Sequence, residues 1–336
     1  MMLKFLHNRL LSQVVSILLS IFSIISLDLQ ASPAGNPADP ILLSYSTWGI
    51  CTGPLYDTPT ILKDYSEYTS PFSMGVKCGF YGDYIFKKKM SIHKVPLYLG
   101  DIIKISVPVR EMSLSHSGVS FTINFQGNDT EKCLSVWDWE VFGVVGATSM
   151  HLSLPLLGFR VPTASDEPNT STGMMDILTD IGLSYNVGIK KILYRRNDIV
   201  MGVSAEYTTA FPKMHQTILF QVDAPEVYFE ESPHILRYQD WSTSLSMCTR
   251  VNNYCFPYVS IIAGYSIIEP SQPENIFKEF STAYLDWNFI MRDIESTKIL
   301  SVACGMSYLV GNNTSVTVEG RWGQQSAIHV DMKVLF

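Results

Sequence analysis

Six cysteines, Cys51, Cys78, Cys133, Cys248, Cys255 and Cys304, are the first residues of this chain whose type could do chemistry. None forms a C-x-x-C pair, so neither a zinc ribbon nor a thioredoxin-like redox site is expected. Cys248 and Cys255 flank Asn252 and Asn253. A four-residue loop at that turn would set the two thiols opposite each other on one face, where a disulfide is sterically allowed; packed free thiols are the equal alternative. The histidines His93, His116, His151, His215, His234 and His329 lack the H-E-x-x-H spacing of a metal site, and no metal or other cofactor is expected. Ser115, His116, Ser117 and Gly118 put a nucleophile beside a base, but sequence neighbours do not make a dyad and no G-x-S-x-G is present, so no enzyme is expected.

The charged residues point to electrostatic chemistry instead. In Glu319 and Arg321, and again in Asp331 and Lys333, opposite charges stand two residues apart, which puts both on one face of a strand. The same alternation groups Lys77, Asp83, Lys104, Lys190, Glu206, Arg250, Asp286 and Arg292 with them. Facing each other across one hairpin, Glu319 and Arg321 against Asp331 and Lys333 would set up a transverse field. Mutual neutralisation that only stiffens the wall is the competing outcome.

The elements that must position these groups are strands. From Ser326 to Phe336 the residues Ile328, Val330, Met332, Val334 and Phe336 alternate with His329, Asp331 and Lys333, and Leu335 is the one break. Val119, Phe121, Ile123 and Phe125 alternate with Ser120, Thr122, Asn124 and Gln126. The ladder over 176–190 sets Ile177, Thr179, Ile181, Leu183, Tyr185, Val187 and Ile189 on one face, and that over 199–208 sets Ile199, Met201, Val203, Ala205 and Tyr207 outward. Turn formers separate the ladders at 195–198, 252–253, 312–313 and 323–325, and longer polar or Pro-bearing connections are expected at 87–98, 162–174, 209–216, 230–240 and 269–281. Short turns alternating with long loops suit an up-and-down barrel whose polar face lines a lumen.

Residues 1–31 have the layout of a secretory signal peptide: Lys4 and Arg9, an apolar run from Val14 to Leu27, and Ala31 to cut after. The net charge of −7 excludes a nucleic-acid partner, which would call for clustered Lys and Arg. Charged residues are 16% of the chain against roughly 25% in globular proteins, and mean hydropathy is +0.14, so the chain has more apolar surface than a water-soluble core needs. Helical spans do not account for it. Val141–Phe159 is the best uncharged run, and Gly143, Gly146, His151 and Pro155 interrupt it. The expectation is therefore an all-β, closed antiparallel up-and-down transmembrane β-barrel over residues 32–336, with about 16 strands of some 10 residues. An unpaired backbone group in lipid costs several kcal/mol, so the last strand, ending at Phe336, must pair with the first. Tyr81, Tyr84, Trp241, Tyr254, Trp287, Trp322 and Phe336 suit interfacial girdles.

The stretches SPAGNPADP at 32–40, CGFYGDYIF at 78–86, GLSYNVGIKKILYRRNDIVMGVSAEY at 182–207, RVNNYCFPYVSI at 250–261 and VEGRWGQQSAIHV at 318–330 resemble one family, the chlamydial major outer membrane porins, and most of all its PorB-type branch. The resemblance implies an outer-membrane porin of about 16 strands, in a family that is often trimeric and lives in an envelope cross-linked by disulfides. It implies lipid around the barrel and small hydrophilic solutes within it, favouring small anionic metabolites such as dicarboxylates. Among the residues that alternation turns inward, Arg321, Arg292 and Lys333 are the candidate attracting groups, with Lys77, Glu319 and Asp331 beside them. Six cysteines are fewer than the major porin carries, which argues against heavy cross-linking. The alternative is a structural or adhesive envelope barrel with a plugged lumen, disulfide-linked to other outer-membrane proteins.

Overall fold

A computed structural model of the chain describes residues 33–42, 72–96, 102–127, 138–160, 170–196, 198–221, 227–230, 235–252, 254–270, 294–297, 299–311 and 313–336. Apart from one helical turn, α1 (Asp39–Leu42), the elements are strands. In chain order they are β1 (Phe72–Lys88), β2 (Met90–Pro96), β3 (Ile102–Pro108), β4 (Glu111–Gly127), β5 (Trp139–Arg160), β6 (Thr170–Arg196) and β7 (Ile199–Gln221). β8 (Val227–Glu230), β9 (Leu236–Thr249), β10 (Cys255–Pro270), β11 (Ile294–Ser296), β12 (Leu300–Val310), β13 (Thr314–Gly323) and β14 (Gln325–Leu335) follow.

Hydrogen bonding runs β12-β13-β14-β1-β4-β5-β6-β7-β9-β10, and β10 pairs back to β12, so the sheet closes into an antiparallel barrel. The C-terminal strand β14 does pair with β1, from Lys77 opposite Leu335 to Lys88 opposite Gln325. Closure leaves the ten-strand ring without a free edge to be satisfied by lipid. Ten strands make this ring among the described residues, and the expected count of about 16 is not confirmed. Strands much longer than the assumed ten residues account for the difference. β6 has 27 residues, β7 has 23, and the Pro-bearing stretch at 209–216 lies inside β7 rather than between strands.

The hairpin of β13 and β14 is short, and Gly323 turns it with φ +129°. Its tip is stitched to the break between β1 and β2, where the Lys89 N–H donates to the Gln324 carbonyl at 2.9 Å. Beyond the tip β11 and β2 pair directly, Ser296 opposite Met90, so the wall is narrower there by the two strands of the hairpin. Apolar side chains fill this narrower end, among them Met112, Leu152, Met175, Ile177, Tyr238 and Ile294.

The outer surface changes in step. Val119, Phe121 and Ile123 of β4 point outward, as do Ile328, Val330 and Met332 of β14 and Leu183, Tyr185 and Val187 of β6. Toward the narrow end the outward residues of β4 become Ser115, Ser113 and Glu111, while Leu114 and Met112 turn inward. The 176–190 ladder is not continuous: the register slips at Leu178–Thr179 and at Asp180–Leu183, so Ile177 is fully buried inside while Ile181 is 74% exposed outside. A bulge of this kind re-aims the side chains that follow it. The apolar belt is thus confined to the ten-strand part. Of the expected girdle aromatics, Tyr84, Trp241, Tyr254, Trp322 and Phe336 are exposed, but Tyr81 points inward, between the rings of His116 and His329. Its parity is that of Lys77 and Asp83.

Candidate functional site

Alternation places Lys77, Asp83, Lys190, Glu206, Glu319, Arg321, Asp331 and Lys333 inside the ring, as expected. Arg250 is not among them. It lies in the turn after β9, where its Nε donates to Asp198 at 2.9 Å. The Lys104 side chain and residues Asp286, Trp287 and Arg292 lie outside the described residues.

The charged groups gather in clusters. Lys77 from β1, Lys190 from β6, and Asp331 and Lys333 from β14 meet Glu140 of β5. Lys77 Nζ is 2.9 Å and Lys333 Nζ 3.0 Å from the Glu140 carboxylate, and Lys333 Nζ is 3.2 Å from Asp331. A second cluster joins Arg321 to Asp83 across the wall, with Arg321 Nε also 3.8 Å from Glu319. A third holds Lys88 between the Tyr238 hydroxyl at 2.6 Å and Asp240 at 3.1 Å, with the Ser266 hydroxyl donating to Asp240. Each cluster mixes signs, because a charge withdrawn from water is tolerated only when paired and hydrogen-bonded.

Residues 33–40 lie in the lumen, every one buried, without joining the sheet. Their local fold follows from sequence. The Asn36 side-chain oxygen accepts from Ala38 N–H at 2.9 Å and its carbonyl from Asp39 N–H at 3.0 Å, an Asx turn with Pro37 at the position its ring favours. Gly35 has φ +63°, which swings its N–H and that of Ala34 onto one target, the Glu319 carboxylate, at 2.9 and 3.1 Å. Tyr258 donates to the same carboxylate at 2.8 Å. At the other end Asp39 enters the lysine cluster: its carboxylate is 2.5 Å from Lys190 Nζ and 3.4 Å from Lys333 Nζ, and its carbonyl accepts from Lys77 Nζ at 2.7 Å. Asn36 and Asn124 complete the attachment, donating to the Phe256 and Pro40 carbonyls at 3.1 and 3.2 Å. Beside the segment, between Gly35, Tyr81 and Lys190, a cavity of about 20 Å³ is left, room for roughly one water molecule.

Sequence reasoning missed Asp39 and Glu140. Asp39 belongs to no alternating run, and Glu140 sits at the edge of the Val141–Phe159 stretch, whose glycines blur the alternation. The parity of Glu140 with Val144 was the available signal.

The cysteines and the Ser-His neighbours are set apart by the strands that carry them. Among the described residues Cys78, Cys248, Cys255 and Cys304 are free thiols, so the expected alternative of a Cys248–Cys255 bridge is not formed. Cys248 lies opposite Tyr258, not Cys255, because the turn is longer than the four residues assumed. Cys248 is buried on the inside of the wall, and Cys255 is half-buried on the other face, against Met306 at 3.3 Å. Cys51 and Cys133 lie outside the described residues. His116 points inward while Ser115 and Ser117 point outward, so the strand itself separates base from nucleophile. Among the described residues no group of His, Cys, Asp and Glu is arranged to hold a metal ion.

No protein-family model matches the chain. Among curated proteins it is 27% identical to outer membrane protein B of Chlamydia pneumoniae, over 98% of each chain. It is 25% identical to outer membrane protein B of Chlamydia trachomatis serovar D, over 97% of this chain and 98% of that one. To the major outer membrane porin of Chlamydia abortus it is 21% identical over 93% and 96%. Among solved structures the outer membrane protease OmpT of Escherichia coli aligns at TM-score 0.34 and 13% identity, over 80% of this chain and 99% of that one. The COG4313 outer membrane channel of Pseudomonas putida F1 aligns at TM-score 0.32 and 6% identity, over 84% and 100%. Alignments at such scores carry no argument about activity.

Proposed function

We propose that this chain is a porin of the chlamydial outer membrane type, in the PorB-type branch, which passes small hydrophilic solutes by passive diffusion and favours small anionic metabolites such as dicarboxylates; its full-length similarity to outer membrane protein B and the major outer membrane porin supports the reading. The chain forms a β-barrel channel of the bacterial outer membrane. The observation that carries the anionic preference is the convergence of Lys77, Lys190 and Lys333, from three strands, on carboxylate groups inside the barrel. Lumen charges set the ion preference of such barrels. Lys333 and Lys77 are the attracting groups in this reading, with Asp331 and Glu140 as the counter-charges that orient them, while Glu319 serves Arg321 and the backbone of Ala34 and Gly35. Arg321, fully buried between Asp83 and Glu319, holds the wall together.

Reversal potentials under a salt gradient test the assignment. Lys333→Ala and Lys77→Ala should lower the anion preference of the refolded parent; unchanged preference in both would reject these selectivity residues. The homotrimer and the disulfide links to envelope proteins rest on family resemblance, and gels run with and without reductant on cross-linked membranes test both.

A second reading has an observation of its own. The lumen is occupied by residues 33–40, as a structural or adhesive barrel with a plugged bore would require. Liposome swelling separates the two readings: a barrel that admits no solute under any condition belongs to the second.

A further inference from the structure

We propose that Asp39 occupies the channel's own carboxylate-binding site, so that residues 33–42 form a tethered plug which carboxylate solutes displace. The inference rests on the channel reading above and goes beyond it by naming the site and its internal competitor.

The charges argue for it first. Glu140 is part of the wall and already compensates Lys77 and Lys333. Among the described residues the one ion pair of Lys190 is with Asp39. Withdrawing the plug would leave a site lined by Lys77, Lys190 and Lys333, with Lys190 short of a carboxylate; a solute carboxylate restores what Asp39 supplied. A buried charge deprived of its partner is costly, so the emptied site selects anions strongly.

The mode of attachment argues for it next. The segment contributes no strand to the ladder, so its departure breaks no wall hydrogen bond. Its hold consists of hydrogen bonds and ion pairs that water or solute can replace, and its apolar contacts are small: Ala34 packs on Ile262 and Ala303, and Ala38 joins the cluster of Ile192, Val200 and Phe256. α1 has only four residues and no stability of its own. A group tethered to the wall competes at an effective concentration of about millimolar order, so solutes at about millimolar levels can exchange with it.

The test uses the full-length protein refolded into planar bilayers, with succinate and its uncharged isostere succinamide as probes. Succinate should raise the conducting fraction of the parent, with a half-effect at about millimolar concentration, and succinamide should not. Asp39→Asn should conduct without succinate, and Asp39→Glu should restore the dependence. Equal responses of the parent to both probes, or a succinate requirement in Asp39→Asn like that of the parent, overturns the proposal. Deleting residues 33–42, with folding checked by heat-modifiable gel mobility, keeps the two readings apart. Conduction by the deletion while the parent ignores succinate sinks the plug and spares the channel. A folded deletion that does not conduct sinks both.

Discussion

Arg321 and Lys333 share a hairpin, yet they keep different company. Arg321 has no exposed surface and faces Asp83 and Glu319, both from the wall, so its charge is spent inside the structure. Arg321→Ala would take the ion-pair partner from buried Asp83, while Glu319 keeps its bonds from Ala34, Gly35 and Tyr258. Loss of one partner of a buried pair costs about 3–5 kcal/mol, and urea unfolding of the barrel in lipid vesicles should show a loss of that order. The same variant should keep the parent's ion preference if its folded fraction is isolated, which sets Arg321 apart from Lys333. Gly35 is a second residue with one permitted identity. Its φ of +63° disfavours any side chain, and a Cβ there would lie 2.2 Å from Lys190 Nζ. Gly35→Ala should therefore push the N-terminal segment off Lys190 without disturbing the strand ladder: limited proteolysis should cleave near residue 35 sooner, while the unfolding free energy in urea stays within about 0.5 kcal/mol of the parent.

Among the elements, the lipid-facing belt makes a quantitative claim. Val330 of β14 is exposed in the middle of the outward series from Ile328 to Phe336, whereas Ser113 of β4 lies on the polar outer face toward the narrow end. An arginine at the bilayer midplane of a barrel costs about 2–4 kcal/mol and near the interface about 0–1. Val330→Arg and Ser113→Arg should separate by those amounts in vesicle unfolding; equal costs would mean that the belt is not where the alternation puts it. Strands such as 119–125 and 328–334 were legible because one face is uniformly apolar and the other uniformly polar. The lumen positions of Lys77, Glu319, Asp331 and Lys333 followed from the same parity. The slip at Asp180–Leu183 was not legible, since Ile177 and Ile181 are both apolar and only their surroundings differ, protein interior for one and lipid for the other. Nor was the strand number, because Pro212 and its polar neighbours read as a connection although β7 continues through them, its pairing with β6 slipping register there and resuming. The plug escaped for a different reason: its backbone bonds go to side chains, and no sequence period reports that.

The whole molecule changes character along its axis, from a ten-strand ring whose lumen holds charges and the N-terminal segment to a narrower end packed with apolar side chains. Near eight strands, side chains alone suffice to fill a barrel interior, so losing the β13–β14 hairpin from the wall is enough to explain the filled end. A displaced plug would open the charged part only; solutes must still cross the apolar end. Met112, Leu152 and Ile177 lie in register across β4, β5 and β6, all fully buried, and make a constriction of the kind that controls passage by wetting and dewetting. Replacing Leu152 and Ile177 together with serine should favour water in that constriction. On the channel reading the unitary current of the deletion lacking residues 33–42 should then rise severalfold, at some loss of stability from the vacated apolar contacts. Unchanged current alongside a lowered urea midpoint would mean that solutes never cross the narrow end. The barrel would then be a structural wall, and the lysine cluster a device for anchoring its N-terminus rather than for choosing what passes.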